Sequence, residues 1–136
     1  MSKNITPLII EQTTKTPKIV FDPNNKLFEI SGRSLPENVV KTYEPVLQWI
    51  EQNMGKIQDG IVFSFKVDYL NSASAKMISL ILTKLEEFYK SGINIEVKWY
   101  YNIDDDDIQS EGEIYAKLKN IPIKLIGINE DGSYVE

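Results

Sequence analysis

The sequence predicts an α/β domain in which a small mixed β-sheet has helices packed on one face. Short apolar runs rich in β-branched and aromatic residues recur at residues 19–21, 61–67 and 93–101. Two longer stretches between them carry apolar residues at three- and four-residue spacing, the period of a half-buried helix. From Ile61 to Tyr101 the order is strand, helix, strand over roughly forty residues, enough for a parallel, right-handed crossover.

The elements follow in order. Residues 8–10 and 19–21 read as two early strands separated by a polar stretch that contains Pro17. Asp22-Pro23-Asn24-Asn25 is a turn by composition, and the extended pattern resumes at Leu27 and runs to Gly32, so a hairpin is expected. Ser34-Leu35-Pro36-Glu37 matches a capping box and predicts a helix start, with Pro36 in its first turn. Val39, Tyr43, Val46, Leu47, Ile50 and Met54 then form one apolar stripe, Pro45 should kink the helix, and Gly55 should end it.

Residues 61–67 read as a strand running into a polar turn, Asp68-Tyr69-Leu70-Asn71-Ser72. Met77, Ile78, Ile81, Leu82, Leu85, Phe88 and Tyr89 trace the clearest helix face, with Ser91-Gly92 as its stop. Residues 93–101 alternate as a half-buried strand, which should bury Trp99 and Tyr101 and expose Tyr100. Asp104, Asp105, Asp106 and Asp107 precede a short helix over residues 108–118, and residues 121–128 make a last strand. Residues 129–136 read as a frayed tail, so one domain spans 1–136 with its core at about 8–128.

Composition narrows the function. A chain of 136 residues has room for one core, and 42% hydrophobic with 26% charged residues is ordinary for a globular protein. A formal charge of −5 argues against nucleic acid and anionic membranes as partners, because both are bound through basic surface. Without cysteine there is no disulfide, thiol nucleophile or thiolate metal site, and without histidine the commonest general base and metal ligand are missing. An enzyme is therefore not expected, nor a cofactor. Residues 1–4 lead into an apolar run too short for a signal peptide or a membrane span, which points to the cytoplasm.

The most informative segment is Asp68 to Lys76, where a buried strand ends and a helix begins. Asn71 suits an N-cap, and Ser72 then falls in the first turn, where free amides and the positive end of the helix dipole favour a negative group. A phosphate on Ser72 would meet those amides, with Lys76 one turn on. Alternatively, Asn71, Ser72 and Ser74 merely cap the helix. Asp104 to Asp107 could in principle hold Mg²⁺ or Ca²⁺, but consecutive acids lack the alternation of a calcium loop and suit a helix N-terminus or a solvated loop. Arg33, with Glu37 and Asn38, forms a further polar cluster; as the sole arginine, Arg33 fits either a structural ion pair or a partner contact.

Several segments are distinctive when taken together: Thr16-Pro17-Lys18-Ile19 with Phe21-Asp22-Pro23, Gly32-Arg33-Ser34 with Pro36-Glu37-Asn38, and Tyr43 with Pro45 and Trp49. Asp68 to Lys76, Leu85-Glu86, and Val97 to Tyr101 with Asp104 to Asp107 continue the pattern. In these segments the chain resembles the SiaC family of small bacterial regulatory proteins. The resemblance implies a fold like the STAS domains of anti-sigma-factor antagonists. It also implies that Ser72 is phosphorylated by a partner kinase and dephosphorylated by a PP2C-type phosphatase, with Ser74 as second candidate. The unphosphorylated form would bind and activate an effector such as a diguanylate cyclase, in cyclic-di-GMP and biofilm signalling. Tyr69, Leu70, Asn71, Ser72, Ser74 and Lys76, with Arg33, Glu37 and Asn38, would form the partner surface. Serine stands where threonine is frequent in that family, and Ala73 where a second hydroxyl is common. The rival functions are an anti-sigma-factor antagonist in a partner-switching pathway and a metal-dependent enzyme built on Asp104 to Asp107.

Overall fold

Alternation along each strand decides which side of the sheet meets the helices. In the computed structural model, which describes residues 5–135, seven strands form one mixed sheet in sequence order: β1 (Leu8–Ile10), β2 (Lys18–Asp22), β3 (Leu27–Ser34), β4 (Ile61–Leu70), β5 (Ile95–Asn102), β6 (Ile123–Ile128) and β7 (Tyr134–Val135). The polar lead-in at residues 1–4 and the last residue, Glu136, lie outside the described residues. β1, β2 and β3 are antiparallel, β3 to β6 run parallel, and β7 returns antiparallel to β6.

Phe28 and Ile30, Phe63 and Phe65, and Val97 and Trp99 are buried in step, while Glu29, Ser64, Lys66 and Lys98 between them keep contact with solvent. The buried set is covered by α1 (Val39–Asn53), α2 (Ser72–Lys90) and α3 (Asp106–Leu118). An aromatic row crosses this face, with ring centroids 5.0 Å apart for Phe21 and Phe63, 5.1 Å for Phe63 and Phe65, 5.5 Å for Phe65 and Trp99, and 5.4 Å for Trp99 and Tyr115. Each such side chain contributes roughly 1.5–3 kcal/mol by leaving water, so this row anchors the layer.

The expected hairpin, the helix over Met77 to Tyr89 and the strand–helix–strand unit all form. Four details differ from the sequence reading. The capping box does not start a helix: Ser34 is the last residue of β3, and Asn38 is the N-cap of α1, its side chain accepting from the Lys41 amide at 3.0 Å. Leu35 precedes Pro36, whose ring disfavours helical geometry at the residue before it, so a cap at Ser34 would need a first turn the backbone resists. Second, α1 ends at Asn53 and a 3₁₀ turn over Met54–Lys56 carries the chain past Gly55; Pro45 lies inside α1 and is exposed, so the Lys41 carbonyl it leaves without a donor can meet water. Third, β4 continues to Leu70, because Tyr69 and Leu70 pair with Arg33 and Ser34 across a bulge at Gly32/Arg33. Fourth, the tail is not wholly unpaired: Tyr134 pairs with Ile128 and packs its ring 5.5 Å from Tyr100, on the side of the sheet away from the helices.

α3 sits close to the sheet for one reason legible in its sequence. At Gly112 a Cβ would lie 2.3 Å from Cδ1 of the buried Trp99, so only glycine lets the helix backbone rest on the indole. The indole nitrogen of Trp99 donates to the Ile108 carbonyl at 2.9 Å and fixes the height of the helix.

Candidate functional site

The carboxyl ends of the parallel strands, where β4 turns into α2 and β5 into α3, gather the polar side chains. Asn71 caps α2, its Oδ1 accepting from the Ser74 amide at 2.8 Å, while the Asn71 amide donates to the Ser34 carbonyl at 3.0 Å. The end of β3 therefore holds the turn from one side and the cap closes it from the other. Ser72 is the first residue of α2 and is exposed, Ala73 is exposed, and Lys76 is exposed one turn further along. α2 has no acidic residue in its first turn, so the positive end of its dipole faces outward unneutralised.

Ser74 is placed differently. It is fully buried, and its Oγ accepts from Ser34 Oγ at 2.7 Å; Ser34 Oγ also lies 2.6 Å from the Tyr43 hydroxyl. Burial pushes the Tyr43 phenol up, and the Ser34 and Ser74 hydroxyls only partly oppose that. Of the two hydroxyls singled out in sequence, one is displayed and the other enclosed.

A groove of about 710 Å³ runs beside Ser72. One wall is Asp68, Tyr69, Leu70, Asn71, Ser72 and Ala75; the other is Asp105, Asp107, Ile108, Ser110 and Glu111. The two walls are tied by the Tyr115 hydroxyl, which donates to the Ala75 carbonyl at 3.0 Å. Burial first, then the neighbouring Glu111 carboxylate, raises the Tyr115 phenol far above its ordinary range. Tyr69 is half exposed, and the Arg33 guanidinium stands 6.0 Å from its ring centroid.

Among the described residues no ion pair involves Arg33 or Lys76. The structural ion pair considered for Arg33 is therefore absent among them, and the residue is exposed. Glu37 makes only a loose, solvated pair with Lys15 at 3.8 Å, and Asn38 is engaged as the α1 cap.

The four consecutive acids do not converge. Asp105 caps α3 by accepting from the Ile108 amide at 3.1 Å, and Asp106 and Asp107 occupy the first turn. Among the described residues no three acidic side chains are grouped to hold a metal ion. The groove's second wall escaped the sequence reading because residues from two distant segments meet there only through the parallel pairing of β4 with β5. The one local signal was Gly112 in the middle of a helix.

Residues 10–128 match the profile of the SiaC family regulatory phosphoprotein. A chain in the crystal structure of diguanylate cyclase SiaD in complex with its activator SiaC, from Pseudomonas aeruginosa, is 26% identical with a TM-score of 0.82, covering 88% of this chain and 98% of that one. SiaC of Pseudomonas aeruginosa is 25% identical with a TM-score of 0.81, over 90% of this chain and 98% of that one. An uncharacterized protein of Pseudomonas aeruginosa (strain UCBPP-PA14) is 26% identical over 118 residues, 87% of this chain and 94% of the relative.

Proposed function

The chain belongs to the SiaC family of regulatory phosphoproteins, and from that premise we propose that Ser72 is its phosphoacceptor and that its phosphorylation governs docking of an effector protein. The observation that carries this reading is the contrast at the start of α2: Ser72 is exposed at a helix N-terminus with no acid in its first turn, whereas Ser74 is enclosed. A cognate serine/threonine kinase would supply ATP, metal and base. Ser72 Oγ attacks the γ-phosphorus, the bond to the β–γ bridging oxygen breaks, ADP leaves, and the hydroxyl proton passes to the kinase base. A PP2C-type phosphatase would return the serine by hydrolysis. The protein contributes an accessible hydroxyl on a braced turn and does no chemistry of its own.

The added phosphate brings about −1.5 to −2 charge. The α2 amides and Lys76 favour it, while Asp68, Asp107 and Glu111 around the groove oppose it. A partner seated over Ser72 in the unmodified state would have to accommodate that charge within a desolvated contact, so phosphorylation releases it. The SiaC structure in complex with the diguanylate cyclase SiaD supports an effector of the cyclase class for this chain, acting in cyclic-di-GMP signalling. The contact surface would be Tyr69, Leu70, Asn71, Ser72 and Lys76, with Arg33 and the loop at Glu37 and Asn38 beside it. No helix among the described residues is long and apolar enough to cross a membrane.

The test is phosphopeptide mass spectrometry on protein isolated from its own host, with and without phosphatase, in wild type and Ser72→Ala. A phosphate on Ser72 that disappears in the variant is expected. Undiminished phosphorylation elsewhere in Ser72→Ala would overturn the assignment.

A further inference from the structure

We infer that Ser34 and Tyr43 are positioning residues for the Ser72 turn, acting through a buried relay of three hydroxyls that ends on Ser74; this rests on the reading of Ser72 as the acceptor. The two buried polar side chains described in the core are Ser34 and Ser74, and both are fully enclosed. Enclosed hydroxyls are costly unless paired, and these two pair with each other at 2.7 Å. Because Ser34 donates its proton to Ser74, its oxygen accepts from the Tyr43 hydroxyl at 2.6 Å, which orders the relay as Tyr43 to Ser34 to Ser74.

Ser34 also accepts from the Asn71 amide through its carbonyl, and Asn71 in turn accepts from the Ser74 amide through its side chain. Ser34, Asn71 and Ser74 thus form a closed ring of hydrogen bonds, and Ser72 lies in the chain between two of its members. Tyr43 ties the ring to α1, a third element that does not touch Ser72 in sequence or by cap. Apolar side chains could fill the same space; hydroxyls add direction, and a fully satisfied buried network selects one arrangement of the groups it joins.

An acceptor serves phosphoryl transfer by its position, since the kinase supplies the rest. Loosening the ring should therefore lower the maximal rate of modification more than it weakens docking. Ser74 belongs to the brace, and modifying it would require opening the core.

The test uses Tyr43→Phe and Ser34→Ala, with Ser34→Thr as the variant that keeps the hydroxyl. Labelled ATP and an extract of the protein's own host give the initial rate of label appearing on Ser72 across a range of protein concentrations. Amide hydrogen exchange by NMR compares residues 71–75 with Phe63, Phe65 and Val97 at the sheet centre. The expected result is a maximal rate lowered about tenfold with half-saturation within about twofold. Exchange at the bonded amides of Asn71, Ser74 and Ala75 should be at least about tenfold faster with the sheet centre unchanged, and Ser34→Thr should restore both. Unchanged rate and exchange in both removal variants overturn the inference, as does faster exchange spread evenly over the sheet, or label on Ser74. If the wild type takes no label on Ser72, the acceptor assignment fails by itself, and the exchange contrast alone then decides whether the relay braces the turn.

Discussion

Two helices start side by side at the carboxyl ends of the parallel strands, and they differ in the charge of their first turns. α2 begins behind Asn71 and α3 behind Asp105, and each cap accepts from the amide three residues on, at 2.8 and 3.1 Å. The α2 first turn holds neutral hydroxyls, whereas the α3 first turn already holds Asp106 and Asp107. The dipole of α3 is answered by its own carboxylates, whereas the first turn of α2 offers its dipole no acid. The same cap hydrogen bond therefore has opposite electrostatic consequences, decided by two or three side chains.

The largest expected effect comes from separating the two helix starts. Gly112→Ala puts a methyl group where the Trp99 ring stands, so α3 or the indole must move. A loss of about 1–3 kcal/mol in chemical denaturation is expected, with faster amide exchange along α3. Unchanged stability would mean that α3 is not seated by this contact.

Next is the brace under α2. Ser34→Ala leaves the Tyr43 hydroxyl and Ser74 without their shared partner in the core, costing about 1–3 kcal/mol, against about 1 kcal/mol for Tyr43→Phe. The same pair makes a pH test. The Tyr43 phenol is raised above 10.0 by burial, so its contribution is fully present below pH 10 and is lost as pH rises through the folded-state value. Stability should fall in alkali, and the fall should be shallower in Tyr43→Phe; parallel curves would show that ionisation of Tyr43 plays no part.

Removing the caps compares the starts directly. Asn71→Ala and Asp105→Ala should each cost about 1 kcal/mol, measured by urea denaturation. Only the cost of Asp105→Ala should shrink as salt is added, because that substitution also removes a charge from the dipole and salt screens what is lost. The smallest effect sharpens the contrast most: Ser72→Asp places in α2 the kind of group α3 already has. A gain of about 0.3–1 kcal/mol from the dipole is expected, reduced by the acids across the groove and recovered in part when Asp107→Asn is added. A double-mutant cycle with no coupling would show that those acids do not sense Ser72.

Much of the fold was legible because its signals are local. The alternation at Ile95, Val97 and Trp99 and the apolar face from Met77 to Tyr89 mark their elements without reference to the rest of the chain. Ser34 was misread for the same reason. Its motif was that of a cap, and a local motif cannot report that Ser34 pairs with Leu70 and meets Ser74 forty residues away. The site was legible in part: Asn71 and Ser72 announced a helix start, but nothing near Ser74 distinguished a displayed hydroxyl from an enclosed one.

By itself the sequence determined the element types, the side of each strand that is apolar, and a start of α2 free of acids, because these follow from spacing and side-chain chemistry within a few residues. Only the tertiary structure decided that Ser72 faces solvent while Ser74 joins Ser34 and Tyr43 in the core, and that the acids of α3 wall the groove beside it. Those outcomes depend on which face of one helix meets which strand end, and that is set by packing between segments far apart in the chain.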